Sequence, residues 1–470
     1  MTTTAEQLAT DALDHAQTAL AAGDAFAALQ ALAVLRPVLG ADRALARLWL
    51  EALRRAPTSP TLESEVRAVL DHHPHDVELV IASAAALIAA AELRAPDEPP
   101  LAHGPAALAA SAVRRCLDVL PADARRDPER AGYLLVNLGG ALRLLGPERD
   151  AEAVAAYEDA LRLDPTRAGR WFDLGVCHKW RGRWSEALAA STKARAQLAP
   201  SADRGRRPVL FNLAIAATAL GQGALAAEAY GALGLAVTVS SGGMPELEGL
   251  PRVEVRVPTR GSGHTAGDVP DRALGFEVVR VAPLSPCHGV VETPTFRDAP
   301  VDYGDVILWD AAPVSVRTNE AGARVVCLPL LEKLRAGDEH RFRFLGLQQA
   351  AGDIEALGQT LPSGTLLFVQ EERIEFVCPR CAAGELLVRH EHQPPDEHRL
   401  VTGKIVAPAG SDLRALRDAL DAASKSHPGV FLVVPGIHEA LGDSAAAGKA
   451  HKAWSGLERT GHKTGGLTKA

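Results

Sequence analysis

Two cysteines in Cys378-Pro379-Arg380-Cys381 are the sharpest local signal for chemistry in this 470-residue chain. A tetrahedral zinc site needs four nitrogen or sulfur ligands. No second Cys-x-x-Cys follows, so zinc requires histidines. His390 and His392 flank Glu391 and fall on one side of a strand, and His398 is a further candidate. The motif sits between strands expected at 374–377 and 385–389, as a zinc knuckle sits on a hairpin; the competing readings are a knuckle that has lost its metal or two ordinary reduced cysteines. A redox pair usually opens a helix, which makes that reading the weaker one. A third thiol, Cys287, stands beside His288 in Ser285-Pro286-Cys287-His288-Gly289, with Asp302, Asp305 and His264 as other partners in the neighbourhood. A nucleophilic cysteine needs an imidazole within hydrogen-bond reach, but adjacent residues usually point apart. A tight β-turn with a semi-buried cysteine therefore competes with catalysis here. Cys327, within Val325-Val326-Cys327-Leu328, and Cys116, on a helix face with Val113, Leu117 and Leu120, read as core.

Other clusters point away from chemistry. Arg260-Gly261-Ser262-Gly263-His264-Thr265-Ala266-Gly267 is rich in glycine, but no helix opens behind it to supply the amides of a phosphate cradle. Trp171, Trp180 and Trp184 interleave with Lys179, Arg181 and Arg183, a pattern that could make a nucleic-acid surface but better suits repeat packing or a protein hot spot. A net charge of −8 argues against sequence-independent nucleic-acid binding. The longest uncharged helical run, 79–91, is 13 residues, too short to span a bilayer. The N-terminus lacks the basic and apolar regions of a signal peptide, and six scattered cysteines suit a reducing cytoplasm.

The residues that must position any site fall into a repeat. Leu138-Gly139 recurs as Leu174-Gly175 and as Leu213-Ala214. Behind them lie Ala153, Tyr157 and Ala160, then Ala187, Ser191 and Ala194, then Ala226, Tyr230 and Leu233. The second trio follows the first by 34 residues and the third follows the second by 39, with the extra length in the loop at 201–207. Small residues let paired helices lie close, and large ones four and seven positions away fill the space between hairpins.

These units resemble tetratricopeptide repeats (TPR), most closely at Trp171, Leu174, Gly175, Ala187, Ala194 and Pro200. His178 and Ser191 stand where the family has aromatics, and the proline is one residue late. The resemblance implies a helical solenoid that binds a peptide or protein partner. In the family, the first helix of each hairpin lines a concave face, into which the residue before the conserved leucine points. The resemblance therefore assigns Asn137, Asp173 and Asn212 to a peptide-binding groove, with Arg143 and Lys179 further along the same helices adding positive charge. Asp173 departs from the family's carboxylate-binding subset, because it would repel such a ligand. The same residues also suit a merely solvated helix face.

Upstream, residues 8–120 keep a helical period punctuated by Pro37, Pro57, Pro60 and Pro74. Past 237 the period turns to two, at 253–257, 276–281, 306–309, 341–345 and 365–369, with short helices expected at 330–335 and 353–357. A strand at 404–407, a helix at 412–424 and a strand at 430–434 form a strand–helix–strand unit, read as parallel.

The expected fold is multidomain: an all-α TPR-like solenoid followed by an α+β, strand-rich, barrel-like domain with a terminal strand–helix–strand unit. The expected divisions are a helical region with degenerate hairpins at 1–132, three repeats at 133–236, a linker at 237–250, a β-rich domain at 251–403, the strand–helix–strand unit and final helix at 404–458, and a disordered tail at 459–470. The leading functional reading is an adaptor that binds a protein or peptide through the repeats. The alternative is an enzyme or ligand-binding module in the second half, using Cys287 and His288 or a zinc knuckle, with the repeats recruiting its substrate. The absence of a complete triad, phosphate loop or carboxylate pair favours the adaptor.

Overall fold

The computed structural model describes residues 5–39, 41–93, 103–198, 203–259, 275–318, 322, 324–382, 391, 393–394, 396–427 and 429–463. The Gly-rich loop at 260–267, the strand expected at 385–389, His390, His392 and the last seven residues lie outside these. By compactness the chain forms two units. The first is Met1–Arg256 with Pro283–Gly289 and Leu308–Glu332; the second is Val257–Ala282, Val290–Ile307 and Lys333–Ala470.

The first unit is built from helical hairpins. Six helices precede the repeats: α1 (Ala5–Ala21), α2 (Ala25–Leu32), α3 (Arg43–Arg55), α4 (Leu62–His72), α5 (Val77–Ala91) and α6 (Pro105–Val119). Their starts are written locally. Asp42 accepts hydrogen bonds from the amides of Ala44 and Leu45, and Asp76 from that of Leu79, which satisfies first-turn N–H groups that have no partner within the helix. The repeats follow as α7 (Arg130–Leu144) with α8 (Asp150–Leu163), α9 (Ala168–Lys179) with α10 (Trp184–Ala196), and α11 (Asp203–Ala219) with α12 (Gly223–Gly231). The N-terminal half is thus helical and TPR-like. A continuous core runs from α1 into the second repeat, with Trp49, Leu87, Val113, Leu134, Tyr157 and Cys177 buried in it.

The glycine pattern has a steric cause. A Cβ on Gly139 would sit 2.9 Å from atoms of the Tyr157 ring, closer than carbon atoms can approach. At Gly175 the nearest atom, Ser191 Oγ, would be 3.3 Å away, so this site is more forgiving. Ser191, a small residue at the position facing Gly175, is what leaves that room. Gly139→Val is therefore expected to destabilise the first unit by about 1–3 kcal/mol through overpacking, whereas Gly175→Ala should be close to neutral. The shift in denaturant midpoint between the two variants measures the difference.

The expected linker at 237–250 is instead a hairpin. Strands β1 (Thr238–Val239) and β2 (Pro245–Glu246) pair antiparallel, and Gly243 closes the turn at φ +78°. The Gly243 carbonyl accepts a hydrogen bond from the amide of Gly223 at 3.1 Å, which ties the turn to α12. A Ser/Gly run has the composition of a flexible linker, but Gly243 supplies a turn conformation that side chains resist.

Strands β3 (Val253–Thr259), β4 (Gly275–Ser285), β5 (His288–Val291), β6 (Val306–Trp309), β7 (Ser315–Thr318) and β8 (Arg324–Arg335) form a sheet in the order β3-β4-β5-β6-β8-β7. A parallel pairing of β3 with β8, through Val255 and Leu328, joins the ends, so five strands close into a barrel-like sheet with β7 appended to β8. The short helix expected at 330–335 is a correction: those residues continue β8. Their local pattern suits a helix, and long-range strand pairing overrides it.

The rest of the second unit consists of β9 (His340–Gln348), α13 (Asp353–Gly358), β10 (Leu366–Val377), α14 (Pro379–Ala382), β11 (Asp396–Ala407), α15 (Leu413–Ser426), β12 (Phe431–Val433), α16 (Pro435–Ala440) and α17 (Ser444–Lys463). The order β10-β11-β9-β12, antiparallel throughout, is a split βαβ arrangement. The terminal strand–helix–strand unit is present, and β11 and β12 run in the same direction, but β9 lies between them. The division drawn at 404 falls inside β11, whose hydrogen bonds to β10 and β9 continue on both sides of that point. Alternation along β9 sorts the two faces. Phe342 and Phe344 join Ile354, Leu416 and Leu420 under the helices, while Leu345 and Leu347 pack with Leu400 and Leu457 of α17. Among the described residues, no helix is long and apolar enough to cross a membrane.

Candidate protein-interaction groove

The first helix of each repeat carries two polar positions six residues apart: Asn137 and Arg143 on α7, Asp173 and Lys179 on α9, Asn212 and Thr218 on α11. The sequence assigned five of these to a groove. The structure treats them differently from repeat to repeat.

At the first repeat, Asn137 is half-buried, and its amide donates to the carbonyl of Tyr133 one turn back at 2.9 Å. Arg143 is mostly covered, with 14% of its side chain exposed, and donates to Glu92 Oε1 at 2.6 Å. Its Nε atom is buried without a partner among the described residues. Asp173, half-buried on the next repeat, has no hydrogen-bond partner among the described residues. Burial pushes its carboxyl from the usual 3.8 up to about 7, with Glu92 adding to the rise and Arg143 opposing it.

Lys179 and Asn212 are a correction to the idea of a solvated ladder, because both are buried. Lys179 Nζ lies 2.5 Å from Asp310 Oδ2 and donates to Asn212 Oδ1 at 2.9 Å, and only about 5% of either charged side chain is exposed. Burial lowers the Lys179 pKa, and the Asp310 carboxylate opposes that shift. Asp310 follows β6 and is held by its own backbone: its amide donates to the carbonyl of Pro329 at 3.1 Å, and its Oδ1 accepts from the amide of Ala312 at 3.2 Å. Thr218, equivalent to Arg143 and Lys179, accepts a weak bond from the Cys287 thiol at 3.5 Å. Trp184 donates its indole N–H to Glu332. Polar positions of the second and third repeats are thus met by residues of 283–289 and 308–332. Sequence reasoning missed Asp310 entirely, since it stands 131 positions from Lys179 in no motif.

The remaining chemical candidates are now placed. Cys287 and His288 are fully buried. The residue that joins them is Ser285, whose Oγ lies 2.6 Å from His288 Nδ1, 3.7 Å from Cys287 Sγ and 3.3 Å from the Cys287 amide, an arrangement that pins a β-turn. Burial raises the Cys287 thiol pKa and lowers that of His288 to about 4, so at neutral pH one is protonated and the other uncharged. That is the reverse of a thiolate–imidazolium pair. Asp302 and Asp305 are committed elsewhere. Asp302 accepts from the amides of Thr295 and Tyr303 and binds Lys404, while Asp305 accepts from the amide of Gly337 and from Arg341. His264 lies outside the described residues. Cys287 is expected to resist a thiol reagent in the folded chain and to react only on unfolding. Its labelling rate in native buffer against that in denaturant, read by mass spectrometry, checks this.

Cys378 and Cys381 are buried at α14, a single helical turn rather than a bare hairpin, and the amide of Gln393 donates to Cys378 Sγ at 3.4 Å. His398 is buried, with Nδ1 3.2 Å from the carbonyl of Asp396. The two histidines named for zinc, His390 and His392, lie outside the described residues, among which no three metal-binding side chains gather. Cys116 and Cys327 are buried, as expected of core residues.

No family model matches the sequence, and no curated protein does. Among solved structures, the chain is similar to TTC0263, a thermophilic TPR protein of Thermus thermophilus, at 21% identity over 43% of this chain and 98% of that one, with a TM-score of 0.33. Two structures of MamA protein are similar at 14% and 16% identity, covering 49% and 37% of this chain and 90% and 87% of theirs, with TM-scores of 0.26 and 0.28.

Proposed function

We propose that this chain is a protein-interaction scaffold whose repeats hold a peptide or partner protein along the polar positions of their first helices. The observation that carries the reading is the open end of that series. Asn137 and Asp173 are only half-buried, and the Asp173 carboxyl has no partner among the described residues although burial penalises its charge. A buried or half-buried polar group without a partner is costly, and a ligand that completes its hydrogen bonds recovers that cost. The fitting ligand presents donors, such as backbone N–H groups or a basic side chain, to Asp173 and Asn137.

The test is capture from an extract of the source cells by the immobilised full chain. A saturable partner should be lost at least tenfold with Asn137→Ala/Asp173→Ala. It should be retained with Glu158→Ala, an exposed position on α8. A partner held equally by all three proteins would refute the groove.

A further inference from the structure

We infer that Asp310 is an internal ligand of the repeats: it occupies Lys179, which also binds the Asn212 amide oxygen, so that a carboxylate-bearing segment of a partner reaches that part of the groove only when Asp310 has left. The inference rests on the groove reading above and adds regulation to it.

Three observations converge. Lys179 Nζ, on the first helix of one repeat, joins two partners, lying 2.5 Å from the Asp310 carboxylate and 2.9 Å from the amide oxygen of Asn212 on the first helix of the next repeat. The occupant follows a four-residue strand and is not part of the repeats themselves. The site is also incompletely satisfied, as an internal substitute for a better ligand would leave it: Asn212 Nδ2 is buried without a partner among the described residues. A segment of a partner with a carboxylate for Lys179 and an acceptor for Asn212 Nδ2 would satisfy more of the site than Asp310 does. A buried ion pair is also a fitting element for a two-state contact. Its attraction and its desolvation cost nearly cancel, so occupied and released states differ by less than an apolar interface of the same size would impose. The contact is then one that a competing ligand can shift by mass action.

Hydrogen exchange on the full-length protein tests this without a known partner. In the wild type, peptides covering 308–316 and 209–219 should exchange through a local opening, with weaker denaturant dependence than peptides of α5 and α6. Asp310→Asn should speed exchange there at least tenfold and leave α5 and α6 unchanged. A labelled peptide of this chain's own residues 307–316 is the binding probe. It should bind the Asp310→Asn protein at least tenfold more tightly than the wild type, and Asp310→Asn/Lys179→Met should abolish that binding.

Exchange of 308–316 only by global unfolding in the wild type would make the pair a permanent structural pin and overturn the inference, even if the variant does not fold. Equal probe binding to wild type and Asp310→Asn would overturn it too. Loss of the captured partner on changing Asn137 and Asp173, alongside either of those results, would leave the groove reading standing without the internal ligand.

Discussion

Lys179→Met is expected to destabilise the first unit by about 3 kcal/mol or more, while Lys179→Met/Asp310→Leu returns most of that loss. Removing one member of a buried ion pair strands the other charge in a poorly solvating environment, which typically costs about 3–5 kcal/mol, whereas replacing both with apolar groups of similar volume is often neutral. Lys179 and Asp310 meet the condition, with about 5% of each side chain exposed and 2.5 Å between charged atoms. The cost of the single change has a ceiling. Once it exceeds the free energy holding 308–332 in place, that segment departs and Asp310 regains water. The double variant has no charge to rehydrate, so it should also hold the segment more tightly than the wild type and bind the labelled 307–316 peptide least. Denaturant unfolding of the two single variants and the double variant forms a cycle whose coupling energy isolates the pair. A double variant as unstable as Lys179→Met would mean that shape, rather than charge, decides this contact.

Asp173→Asn is expected to stabilise the first unit at pH 8, by about 2 kcal/mol, and to have little effect near pH 4. The folded chain keeps the Asp173 proton up to about pH 7, while the unfolded chain loses it near 3.8. Between those values the folded state binds more protons, so this group's contribution to stability falls as pH rises and is fully lost above 7. His288 acts in the opposite sense. Its folded value, lowered to about 4 from 6.5, makes stability rise with pH through that range. The wild-type profile alone therefore conceals both groups. The difference between wild type and Asp173→Asn, followed by denaturant midpoints from pH 4 to 8, isolates Asp173. A difference that is flat with pH would mean that the carboxyl is already ionised at pH 5 and is no liability to the fold. The same experiment bears on function, since a ligand that supplies donors to Asp173 should bind more tightly as pH rises through 7 and that carboxyl ionises.

Residues that act on near neighbours were legible. Gly139 and Tyr157 lie 18 positions apart, and the small-and-large pattern repeats with the hairpin, so the sequence alone determined the repeat architecture. Period-two runs located β3, β4, β6, β9 and the start of β10, because alternation is imposed by each strand's own two faces. Burial of Cys116 and Cys327 followed from the same periodicities. The sequence showed polar residues at these helix positions, but it could not say which of them other segments cover. That was decided by partners with no local signal: Asp310 for Lys179, Cys287 for Thr218, and Gly223 for the turn at Gly243. Residues 330–335 became strand for the same reason, since only pairing within the sheet outweighs a local pattern that suits a helix. A helix or a strand's faces are specified by the chain within a few residues. The partner of a buried polar group is specified by which distant segment the closed fold brings to it, and no spacing in the sequence records that distance.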